Sequence, residues 1–245
     1  MIQDGIHTEN QKITSILMIG QSNMAGRGDF GQVPEIQNDR CYMLRMGRWQ
    51  KMSEPINPDR SILTGEFHSG VGLAASFANS FANTLQKDVG LIPCADGGTR
   101  IEQWLPGELL YDHAVVMTKL AMRSSKFGGI IWHQGESNCH VGDEISDFKD
   151  KFVFLVESLR KDLDCADLPF IAGEVCEHIR LAHSAASAEL LQTVNQIYHS
   201  LEGVLPRYAV VSAKDLNLKP DGIHFDSASY RIFGERYFNT YLKAR

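Results

Sequence analysis

The stretch LMIGQSNMAGRG, residues 17–28, carries the first evidence of the fold. Leu17, Met18 and Ile19 continue an apolar run that begins at Ile13 and stops at Gly20. A short apolar run closed by a glycine reads as a strand buried on both faces. Ser22 follows at once, among small and polar neighbours. A serine ahead of a helix is ordinarily an N-cap. A hydroxyl at the carboxyl end of a buried strand is also where a nucleophile belongs. Both readings stand until the rest of the chain is brought in.

Further apolar runs recur outward from this strand. Cys41–Met46, Val89–Cys94, Gly129–His133, Phe170–Val175 and Tyr208–Val211 read as strands. Between them, GVGLAASFANSFANTLQK sets Leu73, Phe77 and Phe81 at helical spacing. DEISDFKDKFVFLVESLRKDL repeats the pattern, with acids early and basic residues late, as the helix dipole favours. SAASAELLQTVNQIYHSL and SASYRIFGERYFNTYL predict two more helices, each opened by a serine-rich cap. Strands alternating with helices imply a parallel sheet covered on both sides. Gly47–Ser69 is the longest irregular stretch, and loops of that length are often functional. No linker, repeat or low-complexity tract divides the chain, so residues 1–245 are expected to form one domain.

Composition narrows the function classes. Of 245 residues, 43% are hydrophobic, enough for a substantial core. The formal net charge is -6 with scattered Lys and Arg, which argues against nucleic-acid and membrane-surface partners. No apolar run approaches the roughly 18 residues a spanning helix needs. The polar N-terminus does not read as a secretory signal, so the expected location is cytoplasmic. Cys41, Cys94, Cys139, Cys165 and Cys176 are widely spaced and odd in number, and are expected to be free, mostly buried thiols.

Ligands of parallel sheets bind outside the carboxyl ends of the strands. The polar motifs fall there: GQSN after the first strand, ADGGTRIEQW after Cys94, HQGESN after the His133 strand, and DGIH near the end. Serine-based ester hydrolysis needs a hydroxyl, a base, a group that orients the base, and donors for an oxyanion. Ser22 is the candidate nucleophile, with Asp221 and His224 as orienter and base, three residues apart and within reach across one turn. Gly98 (or Gly97) is a candidate oxyanion donor through its backbone N–H, and Gln134 through its side-chain amide. The nucleophile elbow Gly-x-Ser-x-Gly is absent, since position 24 is Met, which excludes the usual α/β-hydrolase pattern. Asn23 and Arg100 are candidate substrate contacts, although Arg100 could equally pair with an acid. Trp104 and Trp132 read as core more readily than as sugar platforms. His133, Glu136, Cys139 and His140 suggest a metal cluster, but strand alternation would turn His133 away, and no metal is expected. The remaining histidines (His7, His68, His113, His178, His183 and His199) read as structural or exposed.

Together GQSNMAG, GGTRIEQW, WHQGESN and DGIH resemble the conserved blocks of the SGNH hydrolases, and within them the branch of sialate O-acetylesterases and family 6 carbohydrate esterases. The blocks stand in order from residue 20 to residue 224. The resemblance implies a flavodoxin-like three-layer α/β/α sandwich with a central parallel sheet. It also implies a metal-free, cofactor-free serine esterase that removes acetyl groups from sugars such as acetylated xylan or sialic acid. Ser22 would then be nucleophile and first oxyanion donor, Gly98 the second and Gln134 the third, with His224 as base and Asp221 as its partner. The chain departs from the family in having Gly173-Glu174 where Gly-Gln is usual. A carboxylate at Glu174 near the pocket would repel the carboxylate of sialic acid. Competing readings are an esterase or thioesterase for a non-carbohydrate ester, and a silent carbohydrate-binding module on the same scaffold.

Overall fold

The computed structural model describes residues 12–57, 69–179 and 187–245. The chain runs β1 (Ile13–Gly20), α1 (Ser22–Ala25), β2 (Cys41–Arg45), β3 (Arg48–Lys51), α2 (Leu73–Leu85) and β4 (Asp88–Pro93). It continues through α3 (Leu109–Met122), β5 (Lys126–His133), α4 (Phe148–Asp162), β6 (Phe170–Gly173), α5 (Ala188–Ser200), β7 (Tyr208–Val211) and α6 (Ser227–Ala244). One seven-stranded sheet has the order β3-β2-β4-β1-β5-β6-β7. β1 lies at its centre, its last five residues fully buried or nearly so, which is what its unbroken apolar run demands. After β1 the chain first builds toward β4 and β2, then crosses to β5. The carboxyl end of β1 is therefore the point where strand order reverses.

The sheet departs from the expected all-parallel arrangement at one edge. β3 runs antiparallel to β2, with Arg45 opposite Arg48 and only Met46 and Gly47 between them. Both linking residues have positive φ, 52° and 74°, the backbone of a tight two-residue hairpin. Methionine is not a residue that announces such a turn, so the strand reading ran through Met46 and β3 was absorbed into the irregular Gly47–Ser69 stretch. Residues 58–68 of that stretch, with His68, lie outside the described residues, as do His7 and His183.

Helices cover both sides. Trp132 packs against Phe152 of α4 and is bonded through Nε1 to the Tyr198 hydroxyl of α5 at 2.9 Å. The next residue, His133, meets Phe233 and Tyr237 of α6 on the opposite side. α3 joins the α4 side, where the Tyr111 hydroxyl donates to Asp162 at 2.8 Å. This helix escaped the pattern reading because Leu109, Val116 and Met122 are apolar yet exposed, which blurs its buried stripe. Trp104 and Trp132 are fully buried against one another, ring centroids 5.6 Å apart, so they belong to the core. α5 is capped by Ser187, and α6 by Asp226 rather than by the serine expected there. All five cysteines are buried and unbridged, and burial pushes the Cys41 and Cys139 thiols up to about 12.

On the other side α2 and α6 touch closely, with Phe77 and Phe81 packed against Phe238 and Tyr241. Gly234 permits the approach. A Cβ there would lie 2.0 Å from the Leu73 carbonyl oxygen and 2.2 Å from Ser76 Oγ. Gly234→Ala must part the helices and is expected to cost about 1–3 kcal/mol, the usual range for overpacking. Urea unfolding measures it, and an unchanged midpoint would show that the helices yield without loss. Among the described residues, no helix is long and apolar enough to cross a membrane.

Candidate active site

The site begins where β1 and β5 run out together. The Gln21 N–H donates to the His133 carbonyl at 2.8 Å. A Cβ on Gly20, whose φ is 128°, would sit 2.0 Å from that same oxygen, so only glycine fits. The chain then turns directly into α1. Gln21 occupies the N-cap position and Ser22 is the first helical residue, so the N-cap reading of Ser22 does not hold. As first-turn residues, Ser22 and Asn23 have backbone N–H groups with no intrahelical acceptor.

DGIH closes on this point from the far end of the chain. Lys219 to Gly222 form a turn, the Gly222 N–H donating to the Lys219 carbonyl at 2.9 Å. Pro220 and Asp221 occupy its centre. Asp221 Oδ1 accepts the N–H groups of Ile223 at 2.9 Å and His224 at 3.0 Å, while Oδ2 lies 2.9 Å from His224 Nδ1. His224 Nε2 lies 2.9 Å from Ser22 Oγ. Because a carboxylate only accepts, this network places the imidazole proton on Nδ1 and leaves Nε2 to accept from the hydroxyl. Burial acts to raise the Asp221 pKa, but the His224 and Ile223 N–H groups outweigh it and hold the carboxyl below its usual range. Burial lowers the His224 pKa, helped by the Arg27 charge and opposed by Asp221. The imidazole is thus kept neutral near pH 7, as a general base requires.

Gly97 is the glycine that lies against Ser22. A Cβ on it would be 3.6 Å from Ser22 Cβ and 2.6 Å from Arg27 Nη2, whereas one on Gly98 would meet open space. Gln134 is fully buried, and its Nε2 has three acceptors: Thr99 O at 3.0 Å, Asn138 Oδ1 at 2.8 Å and Gln21 Oε1 at 3.3 Å. An amide has two hydrogens, so none is left for an oxyanion in this arrangement. Asn138 is committed too, accepting from the Ile101 N–H at 3.0 Å. Arg100 pairs with Asp143 at 3.1 Å and donates to the Ser137 carbonyl at 2.9 Å, so it ties two loops together.

Asn23 is fully buried and lies beneath the site. Glu174 lies elsewhere, in a second cleft beside Ser212 and Asn217. There it accepts from His199 at 2.7 Å, the Ser212 hydroxyl at 2.8 Å and the Ala213 N–H at 2.9 Å. It braces the end of β7, and the expected repulsion of a substrate carboxylate loses its geometric basis. His133 and Glu136 do meet, Nε2 to Oε1 at 3.1 Å, because the chain curls back through Gly135 at φ 140°. Among the described residues, no three His, Cys, Asp or Glu side chains gather as metal ligands would.

A cleft of about 540 Å³ opens beside Asp221 and His224, its walls also including Arg27, Asp29, Phe30 and Lys219. Arg27 is the residue that pattern reading passed over, although it sits inside the opening motif. Its side chain's one hydrogen bond among the described residues runs from Nη1 to the Gly26 carbonyl at 2.9 Å, and it forms no ion pair there. Lys219, by contrast, is paired with Asp29 at 2.6 Å. Phe30 stands 59% exposed at the rim, an aromatic face open to a ligand.

The strand order and the placement of the site at the end of β1 define an SGNH-type hydrolase fold. A lipase/acylhydrolase from Enterococcus faecalis shares it with a TM-score of 0.57 at 12% identity, over 93% of this chain and 94% of that one. The chain belongs to the family described as carbohydrate esterase, sialic acid-specific acetylesterase, whose model matches residues 12–243. It is 31% identical to a protein of Arabidopsis thaliana named "Probable carbohydrate esterase", over 92% of this chain and 89% of that one. A solved structure of an Arabidopsis thaliana protein superposes with a TM-score of 0.81 at 27% identity, over 95% and 98% of the two chains. A carbohydrate acetylesterase from Xanthomonas citri has a TM-score of 0.63 at 19% identity, over 93% of this chain and 55% of that one. Family membership makes this protein a carbohydrate esterase.

Proposed function

We propose that the protein is a serine O-acetylesterase for acetylated carbohydrates, with Ser22, His224 and Asp221 as its catalytic residues. The observation that carries this reading is the unbroken relay from hydroxyl to imidazole to carboxylate, each link 2.9 Å long. Ser22 Oγ attacks the acetyl carbonyl carbon as His224 Nε2 takes the hydroxyl proton, and Asp221 stabilises the resulting imidazolium. The tetrahedral oxyanion is met by the Ser22 N–H and by the Gly98 N–H, with Gly97 keeping the approach clear of a side chain. His224 returns the proton to the departing sugar oxygen. Water then attacks the acetyl-enzyme with His224 again as base, releasing acetate and freeing Ser22. Arg27, with N–H groups unspent among the described residues, is the donor the cleft offers the sugar ester, and Phe30 supplies an apolar face for its ring. Gln134 holds the floor of the site, and Arg100 and Glu174 act in the scaffold.

Acetate release across acetylated xylan, O-acetylated sialic acids, simple sugar acetates and p-nitrophenyl hexanoate tests this reading, together with labelling by a fluorophosphonate. The expected result is one phosphonyl group on Ser22 and faster turnover of at least one sugar acetate than of the hexanoate. Absence of labelling would make the protein a silent binding module. Preference for the longer acyl chain would make it an esterase of another substrate class.

A further inference from the structure

The nucleophile and the base are brought together by two segments far apart in the chain, and the side chain beside the nucleophile holds them there. Asn23 Nδ2 donates to the Ile223 carbonyl at 3.2 Å, and Asn23 Oδ1 accepts the Phe225 N–H at 3.3 Å. Residues 223 and 225 are the two neighbours of His224. The loop's other close backbone bonds, Lys219 N–H to the His224 carbonyl and Asp226 N–H to the Asn217 carbonyl, fasten it only to itself. Lys219 and Ser227 reach the Arg27 and Asp29 carbonyls, both at 2.8 Å, but they anchor positions farther along the chain from His224 than its two neighbours.

The orientation of the Asn23 amide is dictated from behind. Nδ2 also donates to Glu136 Oε1 at 2.7 Å, and Oδ1 also accepts the Tyr230 hydroxyl at 2.6 Å. Glu136 and the Ile223 carbonyl only accept, while the Phe225 N–H only donates, so a flipped amide would face like with like. Glu136 is itself buried and bonded to His133. Burial acts to raise its pKa, but His133 and Asn23 outweigh it and hold the carboxyl below its usual range.

We propose that Asn23 is a positioning residue that sets the distance between Ser22 and His224 by gripping both peptides that flank the base, with Glu136 and Tyr230 fixing the grip. This rests on the catalytic reading of Ser22 and His224. It removes the Asn23 side chain from the set of substrate contacts, since both its polar atoms are spent inside the protein. A base displaced by about an ångström costs a factor near 10² in rate without touching the substrate's binding surface.

The test compares Asn23→Asp, Asn23→Ala and Tyr230→Phe with the parent protein and with Ser22→Ala, on p-nitrophenyl acetate. Asn23→Asp keeps the shape but turns an oxygen toward Glu136 and the Ile223 carbonyl. Both Asn23 variants are expected to lose about 10²-fold in kcat with KM changed less than about threefold. Tyr230→Phe, which removes one support and leaves the fold, is expected to lose roughly fivefold in kcat alone. A merely structural role would lower the unfolding midpoint and leave kcat per folded molecule unchanged. The proposal is overturned if the folded Asn23 variants keep kcat within about twofold of the parent while Ser22→Ala is inactive. Should neither Asn23 variant fold, unchanged kcat in Tyr230→Phe overturns it instead. Activity persisting in Ser22→Ala would strike the catalytic reading, a separate outcome.

Discussion

Ser22→Ala lowers acetate release from an acetylated sugar by a factor on the order of 10⁶, the loss seen when a hydrolase of this kind is stripped of its nucleophile. The reason is chemical rather than structural. With Oγ gone no acetyl-enzyme forms, and His224 is left to activate a water that the site does not position. Residual rate over the uncatalysed reaction would come from the backbone donors and from substrate binding. Folding should be nearly untouched, because among the described residues the hydrogen bond Oγ makes is the one to His224. Unchanged circular dichroism and an unfolding midpoint close to the parent's are therefore part of the expectation. Retention of even a hundredth of the parent activity in a folded variant would remove Ser22 from the chemistry.

Asp221→Asn lowers kcat by about 10⁴ at neutral pH. Asparagine can keep a contact to the imidazole, but its NH₂ is a donor and favours the tautomer with the proton on Nε2. That nitrogen then cannot accept the Ser22 proton, and raising the pH does not restore it. The parent's own profile has a definite sign. His224 is held below its ordinary pKa by burial, so activity rises with pH through a midpoint below 6.5. Asp221 works in the opposite sense on His224, so what activity the variant retains should have its acid limb moved further down. The same groups bear on stability. Asp221 has a depressed folded pKa, so its contribution is present above the unfolded carboxyl value and is lost as pH falls through the folded one. His224, also depressed, destabilises the folded state once pH falls below the unfolded histidine value. A parent midpoint above 7 would contradict the assignment of His224 as a buried base.

What the linear chain discloses here depends on how local each cause is. β1 was legible because burial on both sides needs an unbroken apolar run, and Asp221 with His224 because one turn spans them. Ser22 was legible only in company, since a lone serine has too many uses. β3 was hidden because Met46 occupies a turn position that glycine or asparagine usually marks. α3 was hidden because three apolar residues face water. The surroundings of Gln134, Glu174 and Asn23 are hidden for a different reason. An amide or carboxylate beside a site is free or spent according to partners 25 to 207 residues away, such as Thr99, His199 and Tyr230. Arg27 is the converse, a cation with no ion pair among the described residues, which no spacing could disclose.

The hydroxyl at Ser22 and the imidazole at His224 are joined only after β7, at the sheet's edge, has been laid down. On the catalytic reading proposed above, a chain whose final loop has not docked carries a serine without its base. Trapping of Ser22 by a phosphonate then doubles as a gauge of that docking.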